Sequence, residues 1–116
     1  MTSRLYAQGD IILELVEDVT AAGVPVPRDP DGAVVLARGE LTGHRHAFHS
    51  AGVTLFRDYN LAPGVAPDLY IGHVRVSIPV AELRHQEHAT ISLPTGTYRV
   101  RRQREWEGDG PQLIWE

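Results

Sequence analysis

Residues Leu69–Pro79 read LYIGHVRVSIP, and this stretch decides the fold class because its side chains alternate in character. One face of the run would carry Tyr70, Gly72, Val74, Val76 and Ile78, and the other face Leu69, Ile71, His73, Arg75 and Ser77. A repeat of two residues is the period of an extended strand, whose successive side chains point to opposite faces of a sheet. The run therefore predicts one long β-strand.

Shorter stretches of the same kind surround this run, and turn signals separate them. The segments Ala22–Gly32 and Asn60–Asp68 are predicted loops, and Pro94–Gly96 is a predicted turn, because proline cannot donate to a strand ladder. The further predicted strands are Asp10–Val19, Ala33–Leu41, Val53–Tyr59, Ile91–Leu93, Thr97–Trp106 and Gln112–Trp115. No stretch has the apolar period of a long helix. The sequence thus predicts a single all-β domain over residues 1–116, a small antiparallel β-barrel or sandwich.

Composition narrows the chemistry open to the chain. The 116 residues include no cysteine, which excludes disulfides, thiolate metal sites and thiol nucleophiles. A formal net charge of −4 argues against a general nucleic-acid binder, which is normally basic. The arginine-rich segment Arg99–Glu107, with Trp106 as a stacking platform, makes single-stranded nucleic acid the weakest alternative. No apolar leader and no long apolar run are present, so we expect a cytoplasmic protein outside the membrane.

The histidines give the clearest functional signal. Five of the six lie in two short blocks, GHRHAFH at Gly43–His49 and HQEH at His85–His88. If the first block is extended, His44 and His46 project from the same face of a strand. The two histidines of the second block are three residues apart, so a tight turn would bring them together, whereas a straight strand would separate them.

Imidazoles and carboxylates are the ligands from which this cysteine-free chain could build a transition-metal site. The most economical site takes His44 and His46 from one strand and His88, His85 or both from the turn that follows. Three neutral imidazoles leave an open coordination position, at which a metal can activate water or bind an oxyanion. Glu87 could then serve as an outer hydrogen-bond acceptor or a general base.

A purely structural role is a simpler explanation of the histidine clusters, because a half-exposed imidazole at a strand end can donate a hydrogen bond to a loop carbonyl. His49 and His73 are expected to be of this kind. The first is out of phase with His46, and the second shares a face with Arg75 and Ser77. These two residues are therefore left out of the predicted metal site.

Two motifs, Gly39-x4-His44-x-His46 and Pro94-x-Gly96, resemble the paired motifs of cupins, which are double-stranded β-helix barrels with a metal on inward-facing histidines. The resemblance implies two ligands in the first motif, a glutamate soon after it and a last histidine beyond the second. The chain departs from the pattern at both later positions. No glutamate comes shortly after His46, and Arg99 stands where the last histidine is expected. Arg99 would then point inward and could clamp a carboxylate or phosphate.

Most of the chain also resembles a group of short, uncharacterised bacterial proteins that share three blocks. These blocks are QGD at Gln8–Asp10, GELTGHRHAF at Gly39–Phe48 and HxEHxxIxLPxGxYxVxxQRE at His85–Glu105. The resemblance implies a small all-β fold in which the two histidine blocks belong together. It assigns no activity.

The leading hypothesis is a cupin-like, histidine-lined β-barrel that binds a divalent transition metal. Its candidate ligands are His44, His46, His85 and His88, with Glu87 and Arg99 as candidate contacts to a bound molecule. The rival hypothesis is a metal-free accessory or assembly module that acts through an oligomer or protein-partner interface. Apolar residues near both termini, Tyr6 and Trp115 among them, predict a homo-oligomer under either hypothesis. The sequence does not decide whether the protein is an enzyme.

Overall fold

The computed structural model describes residues 4–17, 23–39, 42–58 and 64–103, and these ranges contain eight β-strands and no helix. The strands are β1 (Leu5–Gln8), β2 (Ile11–Val16), β3 (Val24–Pro25), β4 (Val34–Arg38), β5 (Arg45–Phe48), β6 (Val53–Arg57), β7 (Tyr70–Arg84) and β8 (Ile91–Arg102). Every strand pair is antiparallel. The predicted all-β, antiparallel fold is confirmed.

All eight strands belong to one sheet, with β7 and β8 at its centre. The main path runs β1-β2-β8-β7-β5-β4. β7 pairs with β6 through Val76 to His73 and with β5 through Leu83 and Arg84, so its two halves have different neighbours. Within the described ranges the path ends at β1 and β4, which do not pair with each other. A closed barrel is therefore not confirmed.

The alternating run does form the longest strand, but that strand continues past Pro79. β7 extends to Arg84 because Pro79 lies in an irregular stretch of the β7–β8 ladder, between the pairs Val76↔Gly96 and Val80↔Pro94. A proline without an N–H is tolerated where the ladder is interrupted. The predicted turn at Pro94–Gly96 is wrong for the same reason, since these residues lie inside β8.

The first two strands form a tight hairpin that the sequence did not predict. β1 and β2 pair from Gln8↔Ile11 outward, which leaves Gly9 and Asp10 as a two-residue turn. Gly9 has a φ of 59°, and no non-glycine residue in the described ranges has a positive φ. This combination is that of a type II′ turn, whose first central position favours glycine.

The hydrophobic core lies on the face of the sheet that carries Leu13, Val74, Val76, Tyr98 and Val100, each at most 1% exposed. Alternation explains this face, because these residues share one phase along β2, β7 and β8. Phe48 and Leu83 extend the same core where β5 meets β7.

His73 departs from the expectation of a half-exposed histidine. It is 1% exposed in the middle of β7, and its Nδ1 lies 2.6 Å from the Tyr70 hydroxyl. His49 is exposed, as expected. The predicted strand Gln112–Trp115, together with Trp106, lies outside the described residues.

Candidate functional site

Strand pairing brings the two histidine blocks together. β5 and β7 pair through Ala47↔Arg84 and Phe48↔Leu83. One step further along this antiparallel register, His46 at the start of β5 comes opposite His85, just beyond the end of β7. The centroids of their imidazole rings are 4.3 Å apart.

The six residues 85–90 join β7 to β8 and bend at 86–88, which places the second histidine of the block beside the first. The rings of His85 and His88 are 4.6 Å apart, and those of His46 and His88 are 6.0 Å apart. His44 precedes β5 and lies 5.7 Å from His85. All four imidazoles line one cavity of about 280 Å³. Its remaining lining residues are Asp10, Ala37, Arg38, Gly39, Thr42, Glu87 and Arg102.

A bulge in β4 faces this cavity. Val35 pairs with Ala47 and Ala37 pairs with His46, so Leu36 is an extra residue without a partner on β5. Bulges bend the strand that contains them and often lie beside functional sites. Here the bulge turns Ala37 toward the cavity.

Gln8 fixes the orientation of the most buried imidazole. Its amide nitrogen donates to the carbonyl oxygens of Leu83 and Ala89, at 2.9 Å each, so its amide oxygen must face the other way. That oxygen lies 2.8 Å from Nδ1 of His46. Since an amide oxygen only accepts hydrogen bonds, Nδ1 of His46 must carry a proton. Nε2 of the neutral ring then has no proton, and it presents its lone pair on the side of the cavity.

The environment favours the neutral form of His46 and His85. Burial lowers the pKa of His46 to about 4, and the adjacent His85 lowers it as well, against an upward effect of Asp10. Burial also lowers the pKa of His85, helped by the neighbouring imidazoles of His88 and His44. Neutral imidazoles are the form that binds metal ions.

His85 uses the one in-plane lone pair of its neutral ring in a hydrogen bond with the backbone. Its Nδ1 accepts a hydrogen bond of 3.0 Å from the backbone N–H of Glu87. The neutral ring therefore carries its proton on Nε2, which has no lone pair to offer a ligand. His88 has no such bond in the described structure, and its Nε2 edge packs against Gly9.

Two carboxylates border the imidazoles. Oδ1 of Asp10 lies 3.9 Å from Nε2 of His46, and Oδ2 of Asp10 accepts a 3.0 Å hydrogen bond from Arg102. Oε1 of Glu87 lies 3.6 Å from Nδ1 of His44, and the Glu87 side chain is 67% exposed. Both acids are thus within reach of an imidazole.

The side chain next to His46 faces away from the cavity and anchors a loop. Arg45 bonds to the carboxylates of Asp29 and Asp31, and Asp29 also bonds to Arg38 at 2.5 Å. The Arg45 hydrogen bond lowers the pKa of the Asp31 carboxyl to about 2. These ion pairs hold the start of β5, and hence His46, against the loop before β4.

The imidazoles are at coordination spacing, but their nitrogens do not converge. If two imidazole nitrogens lie about 2.1 Å from one tetrahedral ion, the ring centroids are about 5 Å apart. The four neighbouring ring pairs span 4.3 to 6.0 Å. In the described ranges, no group of three or more histidine, aspartate or glutamate side chains meets at a point where it could already hold a metal ion. Coordination would therefore require rotation of the rings.

Arg99, the other predicted contact residue, is not among the residues that line the histidine cavity. It lies on β8 opposite His73 and bonds to Glu14 at 2.6 Å. Phe48, two residues after His46 on β5, packs in the core and does not line this cavity.

The lining and supporting residues that were not predicted include Gln8, Asp10 and Arg102. Gln8 and Asp10 belong to the QGD block, whose two-residue hairpin was the missed signal. Because β2 pairs with the end of β8 through Ile11↔Arg102, the hairpin turn comes beside Arg102.

The fold and the site define a small antiparallel β protein with a cluster of four imidazoles at the junction of three turns. The chain belongs to the family described as "Domain of unknown function (DUF8820)", which matches residues 7–103. No curated protein and no solved structure matches the chain significantly.

A separate property concerns membranes. In the part of the chain that the structure describes, no helix has the length and apolar character needed to cross a bilayer.

Proposed function

We propose that the histidine cavity binds one divalent transition metal ion. The single observation that carries this proposal is His46, whose Nδ1–H is held by Gln8, which leaves the lone pair on Nε2 of a ring that lines one cavity together with three other histidines. Metal-ligating histidines characteristically donate their second ring N–H to an oxygen in this way, which fixes the tautomer and the ring orientation.

Among the histidines of the turn, His88 is the better candidate for a ligand. His85 would first have to give up the hydrogen bond from the Glu87 N–H, whereas His88 would not. His85 then acts as a packed neighbour, with its ring centroid 4.3 Å from that of His46 and 4.6 Å from that of His88. His44 completes the proposed ligand set, with Glu87 as its outer partner.

The rotation that coordination requires is compatible with the surroundings of these residues. His88 is exposed and His44 is partly exposed, so both can turn without disturbing the core. His46 is buried and already oriented. A buried, fixed ligand with mobile partners at the cavity mouth would let the ion enter from solvent.

A zinc titration of the purified full chain, without a histidine tag, tests this proposal. We expect the wild-type protein to bind one Zn²⁺ per chain by calorimetry. His46→Ala should abolish stoichiometric binding, and His88→Ala should weaken it by about tenfold or more, a loss at least as large as that of an outer-shell partner. His49→Ala is the matched control, because this exposed histidine lies just beyond the same strand.

Two results would contradict metal binding at this site. One is a wild-type protein that binds none of Zn²⁺, Co²⁺, Ni²⁺ and Mn²⁺ stoichiometrically. The other is a loss of affinity in His49→Ala equal to that in His46→Ala. The His88→Ala variant keeps the test valid if His46→Ala unfolds, because His88 is exposed and packs outside the core.

Several expectations stay predictions beside this proposal. These are a cytoplasmic location, a cupin-like closure of the sheet, a role for Arg99 in binding and a homo-oligomer. The metal-free assembly module also stays the rival hypothesis. Its main support is that β1 and β4 each pair on one side only within the described residues.

A further inference from the structure

Two hydrogen-bond acceptors face each other inside the histidine cavity. Nε2 of His46 and Oδ1 of Asp10 are 3.9 Å apart. Gln8 holds the proton of the neutral imidazole on Nδ1, so Nε2 presents a lone pair. A carboxylate oxygen likewise presents only lone pairs. Within the described residues no hydrogen-bond donor bridges these two atoms, and their mutual repulsion favours a cation in the space between them.

Asp10 is held in this orientation from both ends. Its Oδ2 accepts a 3.0 Å hydrogen bond from Arg102, which leaves Oδ1 as the oxygen directed at His46. Its backbone carbonyl accepts a 2.6 Å bond from the N–H of Gln103. The type II′ turn at Gly9-Asp10 fixes the backbone on the other side. Charge-assisted orientation of a carboxylate by an arginine is typical of ligands whose second oxygen binds a metal ion.

We propose that Asp10 is a direct ligand of the divalent transition metal. Its Oδ1 would bind the same ion as Nε2 of His46. This inference rests on the proposed function and adds a carboxylate to its imidazole ligands. Two donors bound about 2.1 Å from one ion lie roughly 3.0 to 3.4 Å apart, so the observed 3.9 Å must close by roughly 0.5 to 0.9 Å. The Asp10 side chain is 54% exposed and can make this shift by rotation.

The position of Asp10 also explains the packing of the turn that carries it. Gly9 lies against the imidazole of His88, where an added Cβ would come within 2.7 Å of its Nε2. The turn that supplies the Asp10 carboxylate to the cavity thus also contacts the His88 ring. The resulting set is His44, His46, His88 and Asp10, a mixed nitrogen and oxygen site suited to Zn²⁺, Mn²⁺, Fe²⁺ or Co²⁺ rather than to a soft ion such as Cu⁺.

Competition between the untagged protein and a chromophoric chelator for Zn²⁺ tests this inference through Asp10→Asn, which keeps the side-chain size. A lost ligand should lower the affinity by about a hundredfold or more, at or above the upper end of the outer-shell range. In the Co²⁺-loaded protein the same substitution should change the visible spectrum, which reports the ligand set. Glu82→Gln is the charge-matched control, since Glu82 is exposed, pairs with Arg84 and lies outside the cavity.

Arg102→Gln separates ligation from orientation. It should lower the affinity by about tenfold, the lower end of the outer-shell range, because it removes only the group that orients Asp10. If Asp10→Asn binds Zn²⁺ as tightly as the wild type, or loses no more affinity than Glu82→Gln, Asp10 is not a ligand, although metal binding by the histidines stands. If the wild-type protein binds no Zn²⁺, both proposals fail.

Discussion

At the scale of single residues, two separate constraints require glycine at position 9. Its φ of 59° lies in the left-handed region, which side chains other than glycine adopt at a cost. A Cβ at this position would also lie 2.7 Å from Nε2 of His88. Gly32 meets only the first constraint, because its φ is 86° and a Cβ there would have no neighbour within 4 Å.

The two glycines therefore form a matched pair for mutation. We predict that Gly9→Ala and Gly32→Ala each lower the free energy of unfolding by about 1 kcal/mol through the strained φ. Only Gly9→Ala should also weaken Zn²⁺ binding, because it displaces the His88 ring. Urea unfolding and a Zn²⁺ titration measure the two effects. An unchanged Zn²⁺ affinity in Gly9→Ala would argue against His88 as a ligand.

At the scale of elements, β7 is a central strand of the sheet, and three other strands pair with it. It pairs with β8 along both of its halves, with β6 along the first half and with β5 along the second. Leu83 is fully buried in the second half, whereas Val80, three residues earlier in the same strand, is 52% exposed. The second half of β7 also leads directly into the histidine turn.

Truncation of these two side chains should have very different effects on stability. Leu83→Ala leaves a cavity in the core and should lower the free energy of unfolding by about 2 to 4 kcal/mol. Val80→Ala should change it by less than about 1 kcal/mol, since it removes an exposed side chain. Urea denaturation of the two variants provides the comparison. Equal losses would mean that the second half of β7 does not pack as described.

Local patterns in the sequence predicted the fold class but not the ends of its strands. The alternation in Leu69–Pro79 was sufficient for β7, because burial of one face requires that period. The continuation past Pro79 depends on a ladder irregularity that forms only when β8 is paired. Glycine at the first central position is a recognisable signal of the hairpin turn at Gly9-Asp10. However, β1 is only four residues long and shows no clear alternation.

The histidines of the candidate site could be predicted from the sequence, but the residues that support them could not. The three-residue spacing in HQEH requires a turn to bring the rings together, and the structure has that turn. Gln8 and Asp10 are more than thirty residues from the first histidine block in sequence. Their proximity to His46 follows from the pairing of β2 with β8 and of β7 with both β8 and β5, and a local pattern carries no information about such long-range pairing.

At the scale of the whole molecule, three turns converge where strands of the central sheet end. The β1–β2 turn supplies Asp10, the β7–β8 turn supplies His85 and His88, and the segment before β5 supplies His44. A sheet that holds these ends rigidly can place ligands from distant parts of the chain within one cavity. The central claim is that this cavity binds a divalent transition metal with His46 as its fixed ligand.

Anomalous X-ray diffraction at the zinc edge, from crystals of the untagged protein grown with Zn²⁺, tests that claim most directly. We predict one strong peak per chain about 2.1 Å from Nε2 of His46, the bond length of a zinc-bound imidazole. An imidazole of the His85–His88 turn should contact the same peak. The absence of any peak in the cavity, or a peak only at the exposed His49, would contradict the proposal.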